Sequence, residues 1–386
     1  MSQKNDDLGL SFLKEKGTNF PERPRLVDDL AIISMPDGVG VQVRGLVNPV
    51  LMRGALVETL LPSVLPLLDG THDFGELLRL LPSTTKEKDL AILLMNLFTR
   101  GLICSQSETV ETTGDLVKHK QMLFLGRRLG VTRYNRSAGE AMEKLSKTSL
   151  LVVADGLLGI VCCDLLNRSG FEHISVSVHN SDSETEAAYK ELSETLVAGK
   201  TSMSFVERNA KAVGSKLLQS LPSTDLIIVA VRNSPDSIFT TVNEICINGS
   251  VQWLRAYDTG SQIEVGPYIN PHDSPCYECM AIRKVSTSEH AVEEELYQRA
   301  LEDGSGAAGL SGESLSLASL AASYLVQEVI RVATGIEPPM LAGRVTSFYS
   351  DGNIDQNTFT RVPRCEACCR GASYVLVEKA KANKSG

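Results

Sequence analysis

The stretch TSLLVVADGLLGIVCCDLLNRSG, residues 148–170, opens as a run of strand-forming apolar residues, tightens at Asp155-Gly156 and continues as an apolar helix. Two further runs, HISVSVHN (173–180) and TDLIIVAVRN (224–233), read as later strands. Strands alternating with helices predict an α/β domain, a doubly wound and mostly parallel sheet with helices on both faces. Further on, EDGSGAAGLSGE (302–313) reads as a Gly/Ser-rich loop. It leads into SLSLASLAASYLVQEVIRVATG (314–335), a long helix of small residues suited to close packing.

Upstream of residue 148 the pattern is different. Residues 1–22 are polar without a sustained period and are expected to form a loose arm, with order starting near Pro24. LAIISM and VGVQVRG flank the turn sequence Pro36-Asp37-Gly38, and Val39, Val41 and Val43 alternate with small or polar residues, so a hairpin is expected. Three apolar stretches at helical spacing follow, in residues 55–70, 74–82 and 86–103. Thr84 and Glu87 stand at capping-box spacing before the third, which should stop at Gly101. Strands and then three helices predict a small winged-helix-like α+β domain over 23–105. A polar linker is expected over 106–130 and the α/β domain over 131–386.

Cysteines supply the most specific motif. Cys276 and Cys279 in SPCYECM, and Cys365 and Cys368 in PRCEACC, form two CxxC pairs. Two such turns complete the tetrahedral thiolate site that Zn²⁺ prefers, with no position left open for substrate, so a structural zinc site is expected. Cys369 is an alternative to Cys368 as fourth ligand. Nine cysteines in 386 residues, four of them paired for metal, suit a reducing compartment, and the N-terminus has no signal-peptide pattern, so a cytoplasmic protein is expected. A net charge of −9 argues against nucleic-acid partners.

Glycines at the first βα turn normally let backbone N–H groups approach phosphates. Here the turn is Ala154-Asp155-Gly156-Leu157-Leu158-Gly159, with alanine in the first glycine position and a carboxylate beside the would-be phosphate. The second strand ends in Val178-His179-Asn180, without the acid that commonly holds a ribose. His173 and His179 have no nucleophile signature beside them, and Cys162 and Cys163 lie in an apolar helix, so all four read as structural.

Taken together, TRYNR (132–136), SLLVVADGLLG, DLIIVAVRNSPDS (225–237), the segment 251–279 and PRCEACC (363–369) resemble the ThiF/E1-like fold, over about residues 130–375. That fold activates carboxylates by adenylation, and the two CxxC pairs fall at its zinc positions. The preceding module resembles the PqqD-like RiPP recognition element, the peptide clamp of ribosomal peptide maturation. The resemblance implies an aspartate for Mg²⁺ and ATP where this chain has Arg232, an exchange that inverts the local charge. Gly156, Gly159, Arg133 and Arg136 remain as nucleotide-binding candidates. The two arginines read equally well as a salt-bridged helix start.

Two functions follow from the resemblance. In the first, a non-adenylating scaffold captures a leader peptide as an added strand beside Val39, Val41 and Val43. Pockets against Leu90, Leu94 and Phe98 would grip it, and the scaffold would present the precursor to an ATP-using YcaO-type cyclodehydratase for azoline formation. In the second, as in microcin C7 or pantocin maturation, the protein itself adenylates a carboxylate or amide, with ATP/Mg²⁺ and an acid such as Asp155, Asp236 or Asp258 on the metal. The resemblance also implies a homodimer.

Overall fold

A computed structural model describes residues 8–36, 40–106, 115–179, 183–196, 201–206, 209–271, 273–303 and 312–369. The chain divides into two compact units, Met1–Leu145 with Arg331–Pro338, and Ser146–Ile330 with Pro339–Gly386.

The first unit contains α1 (Leu8–Lys14), β1 (Pro24–Leu26), β2 (Ala31–Ser34), β3 (Gly40–Arg44), β4 (Val50–Arg53), α2 (Ala55–Thr59), α3 (Leu61–Val64), α4 (Phe74–Leu80), α5 (Glu87–Thr99), β5 (Ile103–Ser105), α6 (Leu116–Gly126) and α7 (Ala138–Lys147). The hairpin forms as β2 and β3, antiparallel, with β4 completing a three-stranded sheet in the order β2-β3-β4. Val39, with Asp37 and Gly38, lies outside the described residues. On α5, Leu90, Leu94 and Leu97 repeat at i, i+4 and i+7, and all three are buried in the core of this unit. The helix closes with paired bonds, Leu102 N–H to Leu97 O and Gly101 N–H to Phe98 O, with Gly101 at φ 74. This is the glycine stop expected there.

Local differences from the sequence reading have physical causes. The segment 55–70 is no single helix: Pro62 and Pro66 break it into α2, α3 and a 3-10 turn. The capping box belongs to α4, where Asp73 and Glu76 exchange bonds with each other's backbone N–H, and α5 is preceded instead by Lys86 without a side-chain cap. The expected arm includes α1, whose Gly9 comes so close to α5 that a Cβ would stand 2.8 Å from Ile92 N. Phe12 and Phe20 both meet the Phe98 ring edge-on, at 6.1 and 5.3 Å between centroids. The expected linker includes α6, capped by Asp115 on Val117 N–H and Lys118 N–H.

The second unit continues with β6 (Ser149–Ala154), α8 (Gly156–Arg168), β7 (His173–His179), α9 (Ser183–Thr195), β8 (Thr201–Val206), α10 (Ala210–Ser220), β9 (Leu226–Arg232), α11 (Asp236–Gly249), β10 (Gln252–Asp258), β11 (Gln262–Ile269), α12 (Tyr277–Thr287), α13 (Ala291–Glu302), α14 (Leu315–Thr334), β12 (Arg344–Tyr349) and β13 (Ile354–Thr358). One eight-stranded sheet runs β13-β12-β11-β10-β9-β6-β7-β8. Strands β8, β7, β6, β9 and β10 are parallel, and β11 to β13 add antiparallel. On one face Leu151, Val153, Ile227 and Val229 pack with residues of α10, α11 and α12. The alternate residues Leu150, Val152, Ile228 and Ala230 are buried too, so both faces are covered, as expected of a doubly wound sheet. Helix α14 has an 18-residue window of mean hydropathy 1.2, enough by length and composition to span a membrane, yet its Ala321, Ala322, Leu325 and Val329 are fully buried within the protein.

Candidate functional site

The chain leaves β6 toward β7 and β8 and then returns to the other side of β6 for β9. The carboxyl ends of β6 and β9 therefore flank the crevice where ligands of such sheets bind. Asp155 N–H, just beyond β6, bonds to Ala230 O in β9. Gly156 takes the left-handed conformation (φ 60) as α8 begins, and Leu157 N–H donates to Glu313 Oε2 at 2.7 Å.

Gly159 has a different role. A Cβ there would stand 2.2 Å from Tyr189 Oη and 2.9 Å from Ala154 Cβ, so glycine is what lets α8 lie this close to β6. Tyr189 Oη in turn donates to Gly156 O at 3.2 Å. A Gly159→Ala variant is expected to lose about 2 kcal/mol in urea denaturation. The loss should shrink in a Tyr189→Phe background, and an unchanged midpoint would contradict the packing described.

Arg232, at the end of β9, is buried. Its Nη2 donates to Gly312 O at 2.6 Å, its Nη1 is 3.7 Å from Glu313 Oε1, and its Nε is 3.8 Å from Asp258 Oδ2. Asp258 also accepts from Gly260 N–H, and burial raises its carboxyl above the ordinary value. Asp236 accepts from Tyr277 Oη at 2.9 Å. Asp236 and Asp258, two of the acids considered for a metal, are thus separately engaged. Among the described residues, the four cysteines are the one grouping of three or more His, Cys, Asp or Glu residues able to hold a metal ion.

Arg133 and Arg136 belong to the first unit. Arg133 Nη2 donates to Thr99 O, and its guanidinium lies 5.2 Å from the centre of the Phe98 ring. Arg136 N–H donates to Glu140 Oε2, the helix-start arrangement. His173 is exposed and His179 buried. Cys162 and Cys163 are fully buried, and burial raises both thiols, Cys163 to about 12, so both fit a core role.

The cysteine pairs do meet. Cys276 caps α12 and Cys279 lies in its first turn. The sulfur separations are 3.8 Å for Cys276–Cys279, 3.7 Å for Cys276–Cys365 and 3.6 Å for Cys279–Cys368, and all four ligand atoms lie within 4.8 Å of one another. A regular tetrahedron with Zn–S bonds of about 2.3 Å has edges of about 3.8 Å, so this donor set could hold zinc. Val362 N–H donates to Cys279 Sγ, a supporting bond to a ligand sulfur. Cys369 is outside the set, with its sulfur directed at Val362 O. Cys368 is the fourth member.

The structure leaves no free edge for the strand addition expected beside Val41 and Val43: both lie on β3, which is bonded to β2 on one side and β4 on the other. Val43, Leu90, Leu94 and Phe98 are buried core residues. The open edges are β2 and β4, each showing one large apolar residue to solvent, Ile33 and Leu51. Glu313 had no counterpart in the sequence reading. It is 156 residues from its partner Leu157, and its only local signal is being the charge that closes the Gly/Ser-rich loop.

No protein-family model matches the sequence. No curated protein matches it either. Among solved structures, E. coli MccB superposes with TM-score 0.65 at 16% identity, covering 89% of this chain and 96% of MccB. The microcin C7 biosynthetic enzyme MccB in complex with N-formylated MccA gives TM-score 0.63 at 17% identity over 89% of this chain and 99% of MccB. The heterocyclase TruD gives 0.58 at 14%, covering 90% of this chain but 43% of TruD. At such identities the likeness is one of architecture, and this chain shares its fold with MccB and with part of TruD.

Proposed function

We propose that the protein is a leader-peptide-binding, E1-like scaffold of ribosomal peptide (RiPP) biosynthesis, acting in the cytoplasm as a homodimer. It would present a precursor peptide to a YcaO-type cyclodehydratase for azoline formation. Arg232 carries this reading: a buried cation tied to Asp258 and Gly312 stands where the E1-like resemblance calls for a metal-facing aspartate. The similarity to part of a heterocyclase supports it. Residues 23–105 would be the winged-helix-like recognition element, and the leader would add to the open edge of β2 or β4, with Leu90, Leu94 and Phe98 holding the groove's framework rather than touching the peptide. Cys276, Cys279, Cys365 and Cys368 would hold a structural zinc.

Adenylation is the second reading, favoured by one observation: this chain spans 99% of an MccB that was crystallised with ATP. In that reading Asp155, Asp236 or Asp258 would have to rearrange onto Mg²⁺ around Gly156, with Arg133 and Arg136 on the phosphates.

Titration of the full chain with a candidate leader peptide, with and without MgATP, separates the two. Saturable leader binding unaffected by nucleotide is expected, and a Leu51→Glu or Ile33→Glu change at the edge in use should weaken it roughly tenfold, about 1.4 kcal/mol. Magnesium-dependent ATP binding, or AMP release on adding peptide, would overturn the scaffold reading.

A further inference from the structure

The N-terminal turn of α8 already holds an anion, and that anion belongs to the chain. A helix of 13 residues carries roughly half a positive charge at its amino end, where its first N–H groups lack carbonyl partners. Here Leu157 N–H donates to Glu313 Oε2. A Cβ on Gly156 would stand 2.5 Å from that same oxygen, so the glycine leaves room for a carboxylate of this protein.

A second observation comes from the neighbouring strand. Arg232 reaches from the end of β9, and its Nη2 grips Gly312 O, the carbonyl just before Glu313. Its side chain is nine-tenths buried, yet Nε has no hydrogen-bond acceptor, because Asp258 is at 3.8 Å and Glu313 Oε1 lies nearer to Nη1. A carboxylate has two oxygens. One accepts from Leu157 N–H, and the other faces the guanidinium at 3.7 Å. Arg232 Nε is therefore a buried donor that the present arrangement leaves without an acceptor.

We infer that Glu313 is a built-in ligand of this anion site, a carboxylate fixed in the phosphate position by Arg232, and that the strap it forms with Gly312 shuts nucleotide phosphates out of the turn. The inference rests on the non-adenylating reading and supplies its physical means. An intramolecular carboxylate competes at high effective concentration, so a free phosphate must displace it and also break the Arg232 tether. Removing the carboxylate leaves the helix terminus without its anion and the buried guanidinium with Asp258 as its remaining counter-charge, and a tetrahedral oxyanion could take up both Leu157 N–H and the free Arg232 Nε.

Inorganic pyrophosphate is the probe, titrated calorimetrically into the full chain. The wild type is expected to show no saturable binding, whereas Glu313→Ala should bind roughly tenfold or more tighter than the wild type's limit. Adding Arg232→Met to Glu313→Ala should abolish the gain. Equal binding by wild type and Glu313→Ala overturns the inference, as does a double variant that binds as tightly as the single one. If Glu313→Ala fails to fold, judged by circular dichroism and metal content, the isosteric Glu313→Gln decides by the same criterion. Leader-peptide titration of the wild type reads the scaffold function separately. A gain of pyrophosphate binding without leader binding keeps the strap and sinks the scaffold, and the reverse result sinks only the strap.

Discussion

Replacing Cys276 with serine is expected to empty the cysteine clasp and to lower the stability of the second unit by about 4 kcal/mol or more. The four sulfurs join two chain segments that are 89 residues apart. Closing a loop of that length removes roughly 4–5 kcal/mol of unfolded-chain entropy on the cross-link model, and structural zinc sites bind tightly enough to realise it. Burial also pushes the Cys276 thiol up to about 12, and a dication among the four sulfurs would favour its thiolate form. Elemental analysis should fall from about one zinc per chain to well below it. The thermal midpoint should drop by roughly 10 °C. Cys369→Ser should change neither quantity. Full metal content in Cys276→Ser, or loss of metal in Cys369→Ser, would show that the ligand set has been drawn wrongly.

The second large effect concerns a buried ion pair between β10 and β11. Arg255 on β10 is 1% exposed and donates from Nη2 to Glu264 Oε2 on β11 at 2.8 Å and from Nη1 to Gly266 O at 3.2 Å. Its guanidinium lies 4.8 and 4.9 Å from the Phe239 and Tyr257 ring centres. Glu264→Gln leaves that cation in the core without its counter-charge, and a loss of about 3–5 kcal/mol in urea denaturation is expected. Arg255→Met combined with Glu264→Leu should recover most of it. A Glu264→Gln loss under about 1 kcal/mol would mean that the pair is solvated.

The same pair sets a pH dependence. Burial is the largest influence on Glu264 and pushes its carboxyl up, but Arg255 and Lys284 together hold it below the ordinary value. Its stabilisation is therefore complete above the ordinary carboxylate range, about 4.3, and is lost as the pH falls through the lower folded value. Stability measured across the acid limb should fall less steeply in Glu264→Gln than in the wild type.

What could be read from the sequence is what is encoded locally. The alternation of apolar strands with helices from Ser149 onward, the hairpin around Pro36 and the CxxC spacing each depend on residues a few positions apart. Strand pairing is different. Nothing near Val41 and Val43 announces that Val50–Arg53 will return to occupy their second edge, so a strand that looked open for a peptide proves to be central. The capping box went to the wrong helix because Thr84-Glu87 and Asp73-Glu76 carry the same spacing, and only the fold around them selects one. Glu313 is the extreme case. Its meaning depends on Leu157 and Arg232, which lie 156 and about 80 positions away, and a carboxylate after a Gly/Ser-rich loop looks like ordinary solvated charge.

The clasp also dictates an order of events during synthesis. Cys276 and Cys279 leave the ribosome as half a ligand set, and Cys365 follows 89 residues later. At ordinary elongation rates of 5–20 residues per second the interval is roughly 4–18 s. For that time the strands of the sheet can assemble while two nascent thiols wait for their partners, exposed to oxidants and to any ion that binds a dithiol. If the four sulfurs take up zinc, metal capture would be a late step of biogenesis, and the yield of sound protein would depend on thiol-reducing capacity and zinc supply at that moment.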